Sequence, residues 1–170
     1  MPEIIKTYKK EVPAMRFIGK RYTDKDRGAQ CNTFGPAWNE WFEKGWFDFL
    51  SNQIPSDFKF FCEEGNASIG LMAAPKGVFE YWIGYFSPSD TSVPDGFQHV
   101  DFSNSSVGVC WVQGKENEVF FQEDNCVKEI EQQGIGKCGD WAFECYTNRY
   151  SKPNENGDVI LDVCFFLQGD

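Results

Sequence analysis

Glu144 stands in the run Trp141-Ala142-Phe143-Glu144-Cys145-Tyr146, which otherwise reads as an apolar strand. A carboxylate buried without a partner costs several kcal/mol, so a residue of this kind is hydrogen-bonded, paired, or held for a ligand. Side chains alternate along a strand, which puts Ala142, Glu144 and Tyr146 on one face and Trp141, Phe143 and Cys145 on the other. An acid beside a tyrosine can serve as counter-charge to a cation, as general acid or base, or as a structural carboxylate paired with Arg149 or Lys152. Poor solvation raises a carboxyl pKa, which suits proton transfer and cation capture alike.

Aromatic residues are the other candidates. They make up 17% of the 170 residues, with 17 Phe, 6 Trp and 6 Tyr, more than a core of this size needs. Ligand pockets are mostly apolar and aromatic with a few placed polar groups. Tyr81, Trp82, Tyr85, Trp111, Trp141, Phe143 and Tyr146 cannot all line one pocket, because neighbours point to opposite faces. Either Tyr81 with Tyr85, or Trp82, belongs to the set that faces a ligand with Glu144 and Tyr146. Trp38 and Phe42 lie on a helical stripe and could close one wall, although such a stripe is ordinarily core. Groove-facing tyrosines would supply cation-π contact and hydroxyl donors.

Other chemistries lack their residues. His99 is the single histidine, so a Ser-His-Asp or Cys-His arrangement would have to use it, and no metal ligands surround it in sequence. Seven cysteines show no C-x-x-C spacing, and several lie in apolar runs where Cys acts as a small hydrophobe. No G-x-G-x-x-G or P-loop is present, so no cofactor and no metal are expected. The net charge of −10, from 26 acids and 16 bases, repels polyanions and attracts cations; no basic stripe for nucleic acid is visible. The opening residues do not read as a signal peptide and no long apolar stretch exists, so the expectation is a reduced, cytoplasmic protein with no membrane contact.

The elements that must position these residues follow from pattern. Ile4 to Tyr22 alternates as a first strand kinked at Pro13. Pro36 to Asn52 carries an apolar stripe of helical period, with Gly45 as a point of interruption. Phe58 to Met72 gives no firm pattern. Phe79 to Phe86 reads as an aromatic strand, followed by a turn at Pro94-Asp95-Gly96 and strand pieces Phe97–Phe102 and Val107–Val112. A second helix is expected over Glu116–Gly134, then a hairpin pairing Trp141–Arg149 with Val159–Leu167. The second half repeats the order of the first. The tight final hairpin favours α+β with antiparallel pairing over a parallel sheet.

These residues carry a resemblance. Ala14-Met15-Arg16-Phe17-Ile18-Gly19, Glu80-Tyr81-Trp82-Ile83-Gly84-Tyr85, the turn Val93-Pro94-Asp95-Gly96 and Phe143-Glu144-Cys145-Tyr146, in this order, resemble the GyrI-like domain, the effector-binding domain of AraC-type and multidrug-sensing regulators. The resemblance spans the chain as one domain, with pseudo-repeat halves of about 1–93 and 94–170. It implies two strand-helix-strand-strand modules about a pseudo-twofold axis with a ligand groove between them. It also implies that Glu144 lies in an aromatic pocket that meets cationic or lipophilic ligands. Cys145 departs from the aliphatic residue usual at its place, and no helix-turn-helix is read in the chain, so a DNA-reading role is not expected.

Three functions follow as expectations: a small-molecule binder for lipophilic, cationic compounds; a hydrolase of reactive, cyclopropanoid-type electrophiles with Glu144 as general base; and a protein partner like the gyrase-restraining founder of the family. The last ranks lowest because the acids are scattered along the chain.

Overall fold

The computed structural model describes residues 1–29, 33–55, 58, 67–74 and 77–169. In chain order the first elements are β1 (Glu3–Val12), β2 (Met15–Tyr22), α1 (Gly35–Lys44), α2 (Trp46–Ser51), β3 (Ser68–Ala73), β4 (Glu80–Pro88) and β5 (Gln98–Phe102). They are followed by β6 (Ser105–Gly114), α3 (Glu123–Gln132), β7 (Cys138–Tyr146), α4 (Asn148–Ser151) and β8 (Val159–Leu167). The fold is α+β, and the pairings within each of two compact units are antiparallel.

One unit is Ala14–Phe102; the other joins Met1–Pro13 to Ser103–Asp170. The expected single strand kinked at Pro13 is therefore two strands, and β1 belongs with the C-terminal residues where halves at about 93 were expected. Proline has no N–H to offer a ladder and restricts the residue before it, so it ends the first strand.

Within Ala14–Phe102 the strands run β3-β4-β2-β5; in the other unit they run β7-β8-β6-β1. The connectivity is the same: a strand, helix, and hairpin whose second strand pairs with the first. The edge place that β5 fills after β4 is filled by β1 from the start of the chain.

The helices are shorter than the sequence pattern implies. Gly45, at φ 66, ends α1 and begins α2, so the expected 36–52 helix is two helices with a left-handed glycine between them. The second helix starts at Glu123 rather than near 116, because residues 115–121 form turns and Phe121 takes φ 63. Gly134, at φ 72, stops it as expected. Residues 59–66 of the unpatterned stretch lie outside the described residues, and β3 follows them.

Two glycines set the closest strand contact. Gly19 and Gly84 face each other across β2 and β4. A Cβ at Gly84 would lie 2.0 Å from the Ile18 carbonyl oxygen, and one at Gly19 would lie 1.9 Å from that of Ile83. Backbone cannot swing aside as a flexible side chain can. Gly84→Ala should lower stability toward the upper end of about 1–3 kcal/mol by forcing the strands apart. An unshifted denaturant midpoint would contradict this close approach.

Candidate functional site

The C-terminal unit holds Glu144 on the side of its sheet that α3 covers. Across the sheet, Glu144 is opposite Val163, which is opposite Cys110, and Ala142 is opposite Phe165, which is opposite Gly108. The Cys110 thiol donates to the Cys126 carbonyl of α3 at 3.7 Å. A Cβ on Gly108 would meet Ile130 of the same helix at 3.0 Å. Glu144 is thus beneath a helix, only 7% exposed.

Burial pushes the Glu144 carboxyl up to about 8; the negative field of Glu123 adds to this, and a hydrogen bond with Tyr146 opposes it. Among the described residues no lysine, arginine or histidine makes an ion pair with it. Arg149, offered by the sequence as its partner, instead pairs with Asp162 at 2.6 Å. Asp162 is opposite Cys145 in the ladder and so lies on the other face. Lys152 is exposed.

Aromatic and acidic residues continue outward from Glu144. The Tyr146 ring meets Tyr150 edge-on at 4.8 Å, and Phe120 meets Tyr150 at 6.3 Å. The Tyr150 hydroxyl donates to Glu116 Oε1 at 3.0 Å. Burial, Glu116 and Glu144 together push the Tyr150 phenol up, so it remains a neutral donor. Glu116 and Glu144 therefore bear on Tyr150, and Glu123 bears on Glu144, so the acids here reinforce one another. Alternation could find Tyr146 but not Tyr150, which α4 brings back to the strand, nor Glu116 and Glu123, which precede and open α3.

Phe143 and, by alternation, Trp141 lie on the face away from Glu144. Trp111 also lies there, opposite Asp162. Arg149 stacks 4.2 Å from the Trp111 ring and Lys6 lies 4.5 Å from it. Trp111 is thus engaged with protein cations and is not on the Glu144 face.

In the Ala14–Phe102 unit Tyr81 and Tyr85 share one face of β4. Both join Ile83 in the cluster packed by α1 and α2, whereas Trp82 turns to the opposite face against Phe17. Tyr81 stacks on Phe34 at 4.4 Å, and its hydroxyl accepts from Trp38 Nε1 at 3.0 Å. Gly70 makes room for this contact, since a Cβ there would be 2.4 Å from the Tyr81 oxygen. Tyr85 meets Phe47 edge-on at 5.8 Å. Phe42, which a helical stripe would bury, is 66% exposed.

An open cleft of about 1030 Å³ in the C-terminal unit, lined by Lys9, Glu11, Ser106, Lys137 and Gln168 among others, includes none of these residues. Among the described residues no cluster of acids, cysteines and histidine could hold a metal ion. No described helix is long and apolar enough to cross a membrane.

No family model and no curated relative matches the sequence. Solved structures do. The chain is similar to a proposed bacterial transcription regulation protein from Staphylococcus aureus MU50, at 17% identity and TM-score 0.66, over 96% of this chain and 99% of that one. It is similar to SAV2435, solved bound to tetraphenylphosphonium, at 15% identity and TM-score 0.69, over 97% and 95%. A hydrolase from Listeria innocua aligns at 10% identity and TM-score 0.51, over 94% and 90%. At these identities the likeness is one of fold.

Proposed function

We propose that the protein binds lipophilic organic cations, with Glu144 as counter-charge and Tyr146 and Tyr150 as the first aromatic surface. The observation that carries this reading is a buried carboxyl facing another acid, with no base in ion-pair reach among the described residues. Such a group is costly in the empty protein and becomes favourable when a cation arrives. The tetraphenylphosphonium held by SAV2435 on the same fold supports the ligand class. In the Ala14–Phe102 unit Tyr81 and Tyr85 are proposed as ligand-contacting residues, testable one at a time as Tyr81→Phe and Tyr85→Ala.

Proton linkage gives the reading a pH signature. With a pKa near 8 the empty site is mostly neutral at neutral pH, and a permanent cation favours the ionised form. Binding then expels a proton. Affinity for tetraphenylphosphonium should rise with pH and level off above about 8, being roughly tenfold weaker at about pH 7 than at about pH 9. Glu144→Gln should abolish this dependence and weaken the cation by about tenfold or more, while improving binding of tetraphenylborate, its anionic counterpart in shape. Titration calorimetry at several pH values decides; equal preference for the two ions in the wild type would sink the proposal.

A second reading rests on the same raised carboxyl. A glutamate that titrates near neutrality and is hydrogen-bonded to a tyrosine can act as general base on water. Turnover of a reactive cyclopropane by wild type, lost in Glu144→Gln with binding retained, would favour hydrolysis over simple capture.

A further inference from the structure

Phe121 is in an unusual place for a phenylalanine. It is 80% exposed, and it is the single non-glycine among the described residues with positive φ, at 63°. At six other such positions, Gly45, Gly77, Gly96, Gly134, Gly136 and Gly157, the chain has glycine. A left-handed phenylalanine is strained by its Cβ, and an exposed ring forgoes burial. Two costs fall on one residue, a combination that points to a task outside the fold itself.

Its neighbours point to the task. Phe120, immediately before it, packs on Tyr150, which packs on Tyr146, the hydrogen-bond partner of Glu144. Glu123, two residues after it, is the acid whose field reaches Glu144. Phe121 is therefore tethered on both sides by residues that bear on the same acid, while its own ring is left in solvent. Resting on the reading of Glu144 as a cation site, we infer that Phe121 is a specificity residue of that site, which covers the aryl part of the bound cation and selects aromatic cations over small alkyl ones. The ring offers apolar area and a π face together, and the left-handed turn presents it outward.

The test compares tetraphenylphosphonium with tetraethylammonium in the wild type, Phe121→Gly and Glu144→Gln. Glycine fits the backbone, so Phe121→Gly should melt no lower than the wild type. It should lose about tenfold in affinity for tetraphenylphosphonium and stay within about twofold for tetraethylammonium. Phe121→Asn, which also tolerates this conformation, should behave in the same way, and Phe121→Tyr should retain wild-type selectivity. If Glu144→Gln weakens both cations while Phe121→Gly leaves tetraphenylphosphonium unchanged, the specificity role is overturned and the cation site stands. Equal losses for both cations in Phe121→Gly also overturn selectivity. A wild type that binds neither cation overturns the site and this inference together.

Discussion

Above about pH 8 the Glu144→Gln variant is expected to be more stable than the wild type, and near pH 4 the two should unfold alike. Burial raises the Glu144 carboxyl from its ordinary 4.5 to about 8, so the folded protein holds this proton more tightly than the unfolded chain does. Below the unfolded value both states are protonated, and the group costs nothing. As pH rises from about 4.5 the unfolded chain gains by ionising while the folded protein does not, and stability falls until the folded group also ionises near 8. The full penalty approaches about 5 kcal/mol on the usual conversion of a pKa shift. Glutamine keeps the shape and removes the titration. The gap in melting temperature between variant and wild type should therefore open by roughly 10 °C or more across this window. Saturating tetraphenylphosphonium should narrow the gap, since it stabilises the protein that can offer it a carboxylate more than the variant, which binds it more weakly. A gap that does not change with pH would mean that Glu144 is not a buried neutral acid.

This destabilisation has a physical sense under the cation reading. A site that pre-pairs its carboxylate with a lysine or arginine must break that pair to admit a ligand; a site that keeps the acid protonated need only release a proton. Glu123 and Glu116 deepen the preference for positive charge, and Tyr146 partly offsets the cost of ionisation. The low stability of the charged empty state and the attraction for a cation are two aspects of one arrangement.

Much of this could be read before the structure. A lone acid in an apolar strand and the period-2 rule are enough to place Glu144 with Tyr146 and away from Phe143, because strand alternation is a hard geometric constraint. The paired Tyr81 and Tyr85 follow from the same rule. What alternation cannot supply is contact across connections. Tyr150 reaches Tyr146 because Thr147, whose hydroxyl accepts from the Arg149 N–H, starts a single turn of helix that folds the chain back. Phe121 occupies a left-handed conformation for which its sequence carries no glycine or asparagine signal. The strand at 3–12 alternates well, yet nothing local says that it pairs with β6, almost a hundred residues away. Distant pairing depends on the whole sheet, whereas face and period depend only on the segment.

Arg149 shows how a nearest-candidate argument can fail, and it carries the other large expectation. Five residues after Glu144, it looked like that acid's partner, but its Nη2 lies 2.6 Å from Asp162 Oδ2 on the opposite face. Asp162 is 1% exposed, and the guanidinium also lies flat enough on Trp111 to bring its carbon within 4.2 Å of the ring centre. A pair this deep adds little net stability over an apolar substitute, because both ions were taken from water. Removing one member is different. Arg149→Met removes the cation paired with a buried carboxylate and should cost about 3–5 kcal/mol at neutral pH. Asp162→Leu combined with Arg149→Met removes both charges and should recover most of the stability, giving a strongly non-additive cycle. Additive losses, or a single-variant cost under about 1 kcal/mol, would show that the two charges are solvated well enough to act independently. Ligand affinity offers the contrast with Glu144: the acid with a permanent protein cation should be silent toward tetraphenylphosphonium, and Asp162→Asn should leave the pH dependence of binding in place, with its midpoint still near 8.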